Sequence, residues 1–229
     1  MLIPNNKKYL VYIKTAKTGG TSFVNILEQI CNLKNRKLIS YNNLDNVTKN
    51  DIIMIVNDQI LFFVKNYPHI YNNSYLIFIS RNPYDRLISG WKYHPNTQNK
   101  TLEELFNNPK YPPISPFLSR WKDNYPKNIW YLFSVYNHLY CKQTEYLTIN
   151  NKFIINYVLK FENLNNDIFN LLNLLNIDIS QINIPHLNKG TNYITNSYNK
   201  YLKNQELLNN INNYFKEDFD ILNYIMLKN

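Results

Sequence analysis

KYLVYIKTAKTGGTSFVNILEQICNL, running from Lys8 to Leu33, changes its periodicity once, and that change decides the fold class. Lys8–Thr15 is a β-branched and aromatic run without polar alternation, the pattern of a strand buried on both faces. Ala16–Gly20 interrupts it. From Thr21 to about Leu33 the apolar positions Phe23, Ile26, Leu27 and Ile30 return at helical spacing on one face. The same alternation recurs downstream. Ile52–Val56 and Tyr75–Ser80 read as two further buried strands, and Tyr157–Phe161 as a fourth. Pro83 stands where proline favours a helix start, and the helix after it turns Leu87, Ile88 and Trp91 inward. Leu164–Leu175 reads as an amphipathic helix and Glu206–Leu227 as one long closing helix, with Leu207, Leu208, Ile211, Tyr214, Phe215, Phe219 and Leu222 apolar. Alternating strands and helices imply an α/β fold whose central parallel sheet is flanked by helices.

The 229 residues are expected to form one domain, with an irregular lid or substrate region at 95–126 that is rich in Pro, Asn and Lys and holds a short helix at Leu102–Asn107. A formal net charge of +9 points to an anionic partner, but no basic run is long enough to serve as a nucleic-acid arm, so nucleic acid is not expected. The two cysteines, Cys31 and Cys141, lie far apart with no CxxC spacing, which argues against a disulfide framework and against a metal site. No window approaches the ~18 apolar residues of a membrane span, so the expectation is a soluble, cytoplasmic protein without a transmembrane segment.

Between the first strand and the first helix stands Thr15–Ser22, TAKTGGTS. A strand-to-helix turn is where an α/β sheet receives anions, because backbone N–H groups and the helix dipole point there. Gly19 and Gly20 permit close approach and positive φ. Thr21 and Ser22 add hydroxyls, and Lys17 adds a point charge. A tight turn whose glycines merely satisfy geometry is the bland alternative. A nucleotide triphosphatase loop would place its lysine after the glycines, whereas here Lys17 precedes them, and no evident Mg²⁺-binding carboxylate follows the loop.

A second constellation, Ser80–Trp91 (SRNPYDRLISGW), follows the third strand. Arg81 sits at the strand end and Ser89 two helical turns later. A guanidinium and a hydroxyl converging there suit a phosphate monoester, since arginine offers a planar fork of donors. The structural alternative is a pairing of Asp85 with Arg81 or Arg86 that caps the helix.

Taken together, the two segments resemble the PAPS-dependent sulfotransferases (PAPS is 3′-phosphoadenosine 5′-phosphosulfate). Lys17-Thr18-Gly19-Gly20-Thr21-Ser22 is similar to their 5′-phosphosulfate loop, although Ala16 replaces the more frequent proline. Arg81 to Gly90 is similar to the 3′-phosphate segment of the Golgi-type carbohydrate group. Phe161-Glu162-Asn163-Leu164, His186-Leu187-Asn188-Lys189-Gly190 and Asp218-Phe219 with Leu222 and Tyr224 resemble further motifs of that group. His138 to Gln143 is a looser echo of another. The resemblance implies a P-loop-like three-layer fold, and two phosphate motifs that must reach one nucleotide put the first strand beside the third. The resemblance also implies PAPS as co-substrate, 3′,5′-phosphoadenosine as product and no metal. Lys17, Thr18, Gly19, Gly20, Thr21, Ser22, Arg81, Ser89, Lys189 and Gly190 would contact the nucleotide, and a hydroxyl-bearing glycan would be the acceptor.

Sulfuryl transfer asks a protein for in-line positioning and for charge stabilisation on the leaving oxygen. Lys17 is the expected stabiliser, with Lys14, inside the strand, expected not to reach the same atom. The acceptor hydroxyl needs a base. Asp58, just past the second strand, is the first candidate; His69 is the second, followed by His94 and His138. Each histidine taken singly reads as a surface or packing residue before it reads as a catalyst. A non-catalytic nucleotide or anionic-glycan binding protein is the alternative, and it requires no convergence of Lys17, Arg81 and Ser89.

Overall fold

The computed structural model describes residues 7–48, 51–56, 59–93, 97, 99–106, 135–150, 152–184 and 197–228. Along the chain the elements are β1 (Tyr9–Lys14), α1 (Gly20–Leu33), β2 (Leu38–Ser40), β3 (Ile52–Val56), α2 (Ile60–Asn66), α3 (Pro68–Asn72), β4 (Ser74–Ser80), α4 (Pro83–Tyr93), α5 (Leu102–Phe106), β5 (Thr148–Ile149), β6 (Lys152–Phe153), β7 (Tyr157–Lys160), α6 (Leu164–Leu174), α7 (Gln205–Tyr214) and α8 (Lys216–Ile221). They divide into two compact units, Met1–Ser80 with Tyr146–Asn192, and Arg81–Glu145 with Tyr193–Asn229.

The first unit is built on a five-stranded sheet of order β2-β3-β1-β4-β7 in which every pairing is parallel. All four strands expected from the sequence are present, and β1 lies beside β4. Leu10, Tyr12, Ile77, Ile79 and Leu159 share one core with Phe23, Ile26, Leu27 and Ile30 of α1 and with Ile168, Leu171 and Leu172 of α6. The residues between them, Val11, Ile13, Ile53, Ile55 and Phe78, point the other way and are just as fully buried. Burial on both faces explains why these strands are unbroken apolar runs. The edge strand β2 and the small antiparallel pair β5–β6 are additional to the four expected strands. Strands of three and two residues are shorter than any periodicity that can be read.

In the second unit, α4 starts at Pro83, and the Asn82 side chain accepts a hydrogen bond from the Tyr84 N–H at 3.0 Å. Thr101 and Glu104 exchange backbone-to-side-chain hydrogen bonds (Glu104 N–H to Thr101 Oγ1 at 3.1 Å, Thr101 N–H to Glu104 Oε2 at 2.7 Å), a capping box that opens α5. Of the expected lid at 95–126, residues 97 and 99–106 are described and the remainder lies outside the described residues. A single closing helix over Glu206–Leu227 was expected. Instead α7 and α8 are separated at Phe215, whose φ of −97° and ψ of 17° leave the helical region. Helix α8 ends at Ile221, and Asn223 takes a left-handed φ of 54° just beyond. The apolar spacing Ile211, Phe215, Phe219 runs through the break unchanged, so the pattern carries no trace of it. Among the described residues no helix is long and apolar enough to cross a membrane.

Candidate active site

Strand order reverses at β1. The chain proceeds from β1 to β2 and β3 on one side and then crosses to β4 on the other. In open α/β sheets ligands collect outside the carboxyl ends of the strands at such a switch point. Neighbouring strands lie about 4.8 Å apart, so the chain leaves the sheet after Lys14 and after Ser80 at adjacent positions.

The segment after β1 is shaped by two left-handed residues, Lys17 with φ of 64° and Gly19 with φ of 84°. Alternation of this kind turns successive backbone N–H groups toward one side and forms a concavity suited to an anion. A non-glycine residue in the left-handed region costs about 1–2 kcal/mol, so Lys17 sits there under conformational strain. Beneath it, the Thr15 and Thr18 hydroxyls are 3.0 Å apart, and Thr18 also donates to the Thr15 carbonyl at 3.3 Å, which ties the two ends of the turn together. Thr18 is fully buried, so its side chain supports the loop and faces no solvent. Gly19 is the N-cap of α1, and the first amides to bond within the helix are those of Ser22 and Phe23, both to the Gly19 carbonyl. The Gly20 and Thr21 amides precede that ladder. No acidic side chain of α1 itself occupies its first turn, where the positive end of the helix lies. Thr21 is exposed, whereas Ser22 is nearly buried.

Both glycines are required by their surroundings. A Cβ on Gly19 would stand 2.7 Å from the edge of the Phe161 ring. This gives Phe161, already singled out by its motif, a specific task as the wall against which the loop rests. A Cβ on Gly20 would meet the Tyr12 hydroxyl at 2.9 Å and Lys14 Cγ at 3.1 Å. Lys14 closes β1, and its side chain runs along Gly20 at the start of α1, with Cε 3.4 Å from that Cβ position. Tyr12 and Lys14 share the face of β1 that packs on α1.

In the second unit Arg81 is 7% exposed. Its backbone is held by one side chain: the Arg81 N–H donates to Gln143 Oε1 at 2.8 Å, and Gln143 Nε2 donates to the Arg81 carbonyl at 2.8 Å. Gln143 is itself fully buried and its N–H donates to Asp218 Oδ2 at 2.9 Å. Asp218 Oδ1 accepts from both the N–H and the hydroxyl of Thr144, each at 2.8 Å. Burial pushes the Asp218 carboxyl above the ordinary carboxylate range, while these three donors and the charge of Arg86 pull against that shift. Ser89 lies half-buried on α4. Gly90, the last residue of the same motif, has its own reason: a Cβ there would overlap the His138 carbonyl, so only glycine lets the π-helical turn Tyr136–Tyr140 reach α4.

The candidate bases are distributed differently from the loop. His69 is exposed on α3, which leads into the amino edge of the sheet where Ser74 pairs with Tyr9. The length of β1 from Tyr9 to Lys14, about 17 Å at five rises of strand, separates that edge from the loop, so His69 is not brought to it. His138 stacks on Tyr93, ring centroids 5.3 Å apart. Asp58, His94, Lys189 and Gly190 lie outside the described residues.

A family model described as "Sulfotransferase family" matches residues 2–225. No curated protein matches the chain. Among solved structures, the sulfotransferase from Alicyclobacillus acidocaldarius is similar in fold, with 12% sequence identity, a TM-score of 0.50 and 96% of each chain covered.

Proposed function

The chain belongs to the sulfotransferase family, and on that premise we propose that it transfers a sulfuryl group from PAPS to a hydroxyl of a carbohydrate acceptor. The observation that carries this reading is the loop after β1, where two left-handed residues, Lys17 and Gly19, an N-terminal helix turn without carboxylates and the Lys14 side chain beside Gly20 occur together. Those groups fit a dianionic phosphosulfate. The whole chain is taken as a single sulfotransferase domain acting on one nucleotide.

PAPS, when bound, supplies a sulfuryl group on a phosphate leaving group. The loop amides around Gly19 and Gly20 would grip the 5′ end through the helix terminus. Lys17 would place its ammonium at the bridging oxygen, where negative charge grows as the sulfur–oxygen bond breaks. Thr18 would contribute through its backbone, because its hydroxyl already serves the loop. Arg81 and Ser89 would take the 3′-phosphate, and Lys189 with Gly190 would close over the nucleotide. As the acceptor oxygen bonds to sulfur its proton must leave, and Asp58 is the residue proposed to receive it. No metal is invoked. Cytoplasmic residence remains part of this reading.

The test is a PAPS-dependent sulfation screen of the purified protein against glycans, small alcohols and tyrosyl peptides. Transfer to a carbohydrate hydroxyl that disappears in Lys17→Ala is the expected result. Nucleotide binding with no sulfated product from any acceptor would instead support a binding protein without turnover.

A further inference from the structure

We infer that Gln143, seated on Asp218, is a positioning residue that aims the Arg81 guanidinium at the nucleotide's 3′-phosphate; the inference rests on the assignment of that phosphate to Arg81. Strand β4 ends at Ser80, where its ladder with β7 closes at the Ser80–Lys160 pair. The next backbone N–H and C=O, those of Arg81, are buried and satisfied by the primary amide of Gln143. One side chain thus does what a further strand residue would do, and it fixes both ends of the Arg81 peptide frame. With the backbone pinned, the direction in which the Arg81 side chain leaves the chain is fixed, and a shift of Gln143 moves the origin from which the guanidinium reaches.

The clamp is supported from behind. Asp218, fully buried, receives three hydrogen bonds from Gln143 and Thr144 and feels the positive charge of Arg86. Arg86 in turn donates from Nη2 to the Asn137 carbonyl at 3.1 Å, at the turn that Gly90 admits. A buried carboxylate, a buried amide and a buried guanidinium are costly unless mutually satisfied. Their assembly around the backbone of a single arginine is an expensive way to hold a loop that has no task.

The test compares dissociation constants for 3′,5′-phosphoadenosine and 5′-AMP, whose ratio isolates the 3′-phosphate. The informative variant is Gln143→Glu. At about pH 8 the introduced carboxylate keeps the acceptor for the Arg81 N–H but opposes an oxygen to the Arg81 carbonyl. At about pH 5.5 a buried carboxyl, its pKa raised, regains the proton and with it the lost donor. The expected result, referred to wild type at each pH, is a loss of the 3′-phosphate preference by roughly tenfold or more at the higher pH, little change for 5′-AMP, and recovery at the lower pH. Equal weakening of both nucleotides, or an unchanged ratio at the higher pH, would overturn the inference. Should that variant fail to fold, Thr144→Val removes one support of Asp218 and is expected to lower the ratio several-fold. A drop in melting temperature with the ratio intact would overturn the inference as well. A wild type with no preference at all is a different outcome, because it removes the assignment of the 3′-phosphate to Arg81 itself.

Discussion

Replacing Lys17 by glycine is expected to make the protein more stable while removing most of its turnover. Lys17 has a φ of 64°, in the left-handed region, where a side chain with a Cβ costs about 1–2 kcal/mol. Glycine relieves that strain. Its greater freedom in the unfolded chain returns about 0.4–1 kcal/mol of the gain, leaving a net stabilisation of about 0.5–1 kcal/mol. For a chain of this length that corresponds to a rise in melting temperature of about 1–4 °C. Lys17→Ala retains the Cβ and should melt near wild type. Turnover should fall in both, by ~10²–10³, the usual effect of deleting one preorganised charge stabiliser. The lower end applies if the Lys14 side chain, lying along Gly20, supplies part of the field. Differential scanning calorimetry and single-turnover transfer, run on the same preparations, read the two effects separately. Lys17→Gly melting below wild type would show that the lysine side chain holds the loop, and the strain reasoning would fail. Turnover within a few-fold of wild type in both variants would refute Lys17 as the stabiliser of the leaving oxygen.

Three further outcomes are expected. Gly19→Ala combines a φ of 84° with a contact of 2.7 Å to the Phe161 ring, so it should lower stability by about 2–3 kcal/mol in denaturant melts and weaken nucleotide binding; Phe161→Ala in the same chain should recover part of the stability by removing the overlap. Lys14→Met keeps the aliphatic packing against Gly20 but removes the charge, so the affinity for 3′,5′-phosphoadenosine should fall and its salt dependence should flatten; an unchanged salt dependence would place the ammonium away from the ligand. Burial raises the Asp51 carboxyl, but hydrogen bonds from the Thr48 N–H and hydroxyl and the Lys37 N–H outweigh it and leave its pKa below the ordinary value. Because the folded pKa is the lower one, its stabilisation is present above about pH 4 and lost as pH falls through the folded pKa; Asp51→Asn should therefore be less stable at neutral pH and show a shallower loss below about pH 4, and an unaltered acid slope would count against it.

What could be read from the chain was whatever depends on neighbours in sequence. The four buried strands follow from runs such as Leu10–Ile13 and Ile52–Val56, whose residues are apolar on both faces. Helix α1 follows from the spacing of Phe23, Ile26, Leu27 and Ile30, and the anion-directed loop from glycines placed between strand and helix. Even the adjacency of β1 and β4 was accessible, because two phosphate motifs had to reach one ligand. The tertiary structure alone decided features set by distant partners. The Lys14 side chain turns along Gly20 because the face of β1 it shares with Tyr12 packs on α1, and His69 is carried to the opposite edge of the sheet. The closing helix breaks at Phe215 without disturbing its apolar period, and Asp218, from the segment beyond the break, receives the backbone of Gln143 and Thr144. Gln143 looked like a loose echo in the sequence, yet it holds the backbone of Arg81 from 62 residues away. Periodicity records which face of an element is buried, whereas hydrogen bonds between buried polar groups record which distant segments meet, and only folding brings those segments together.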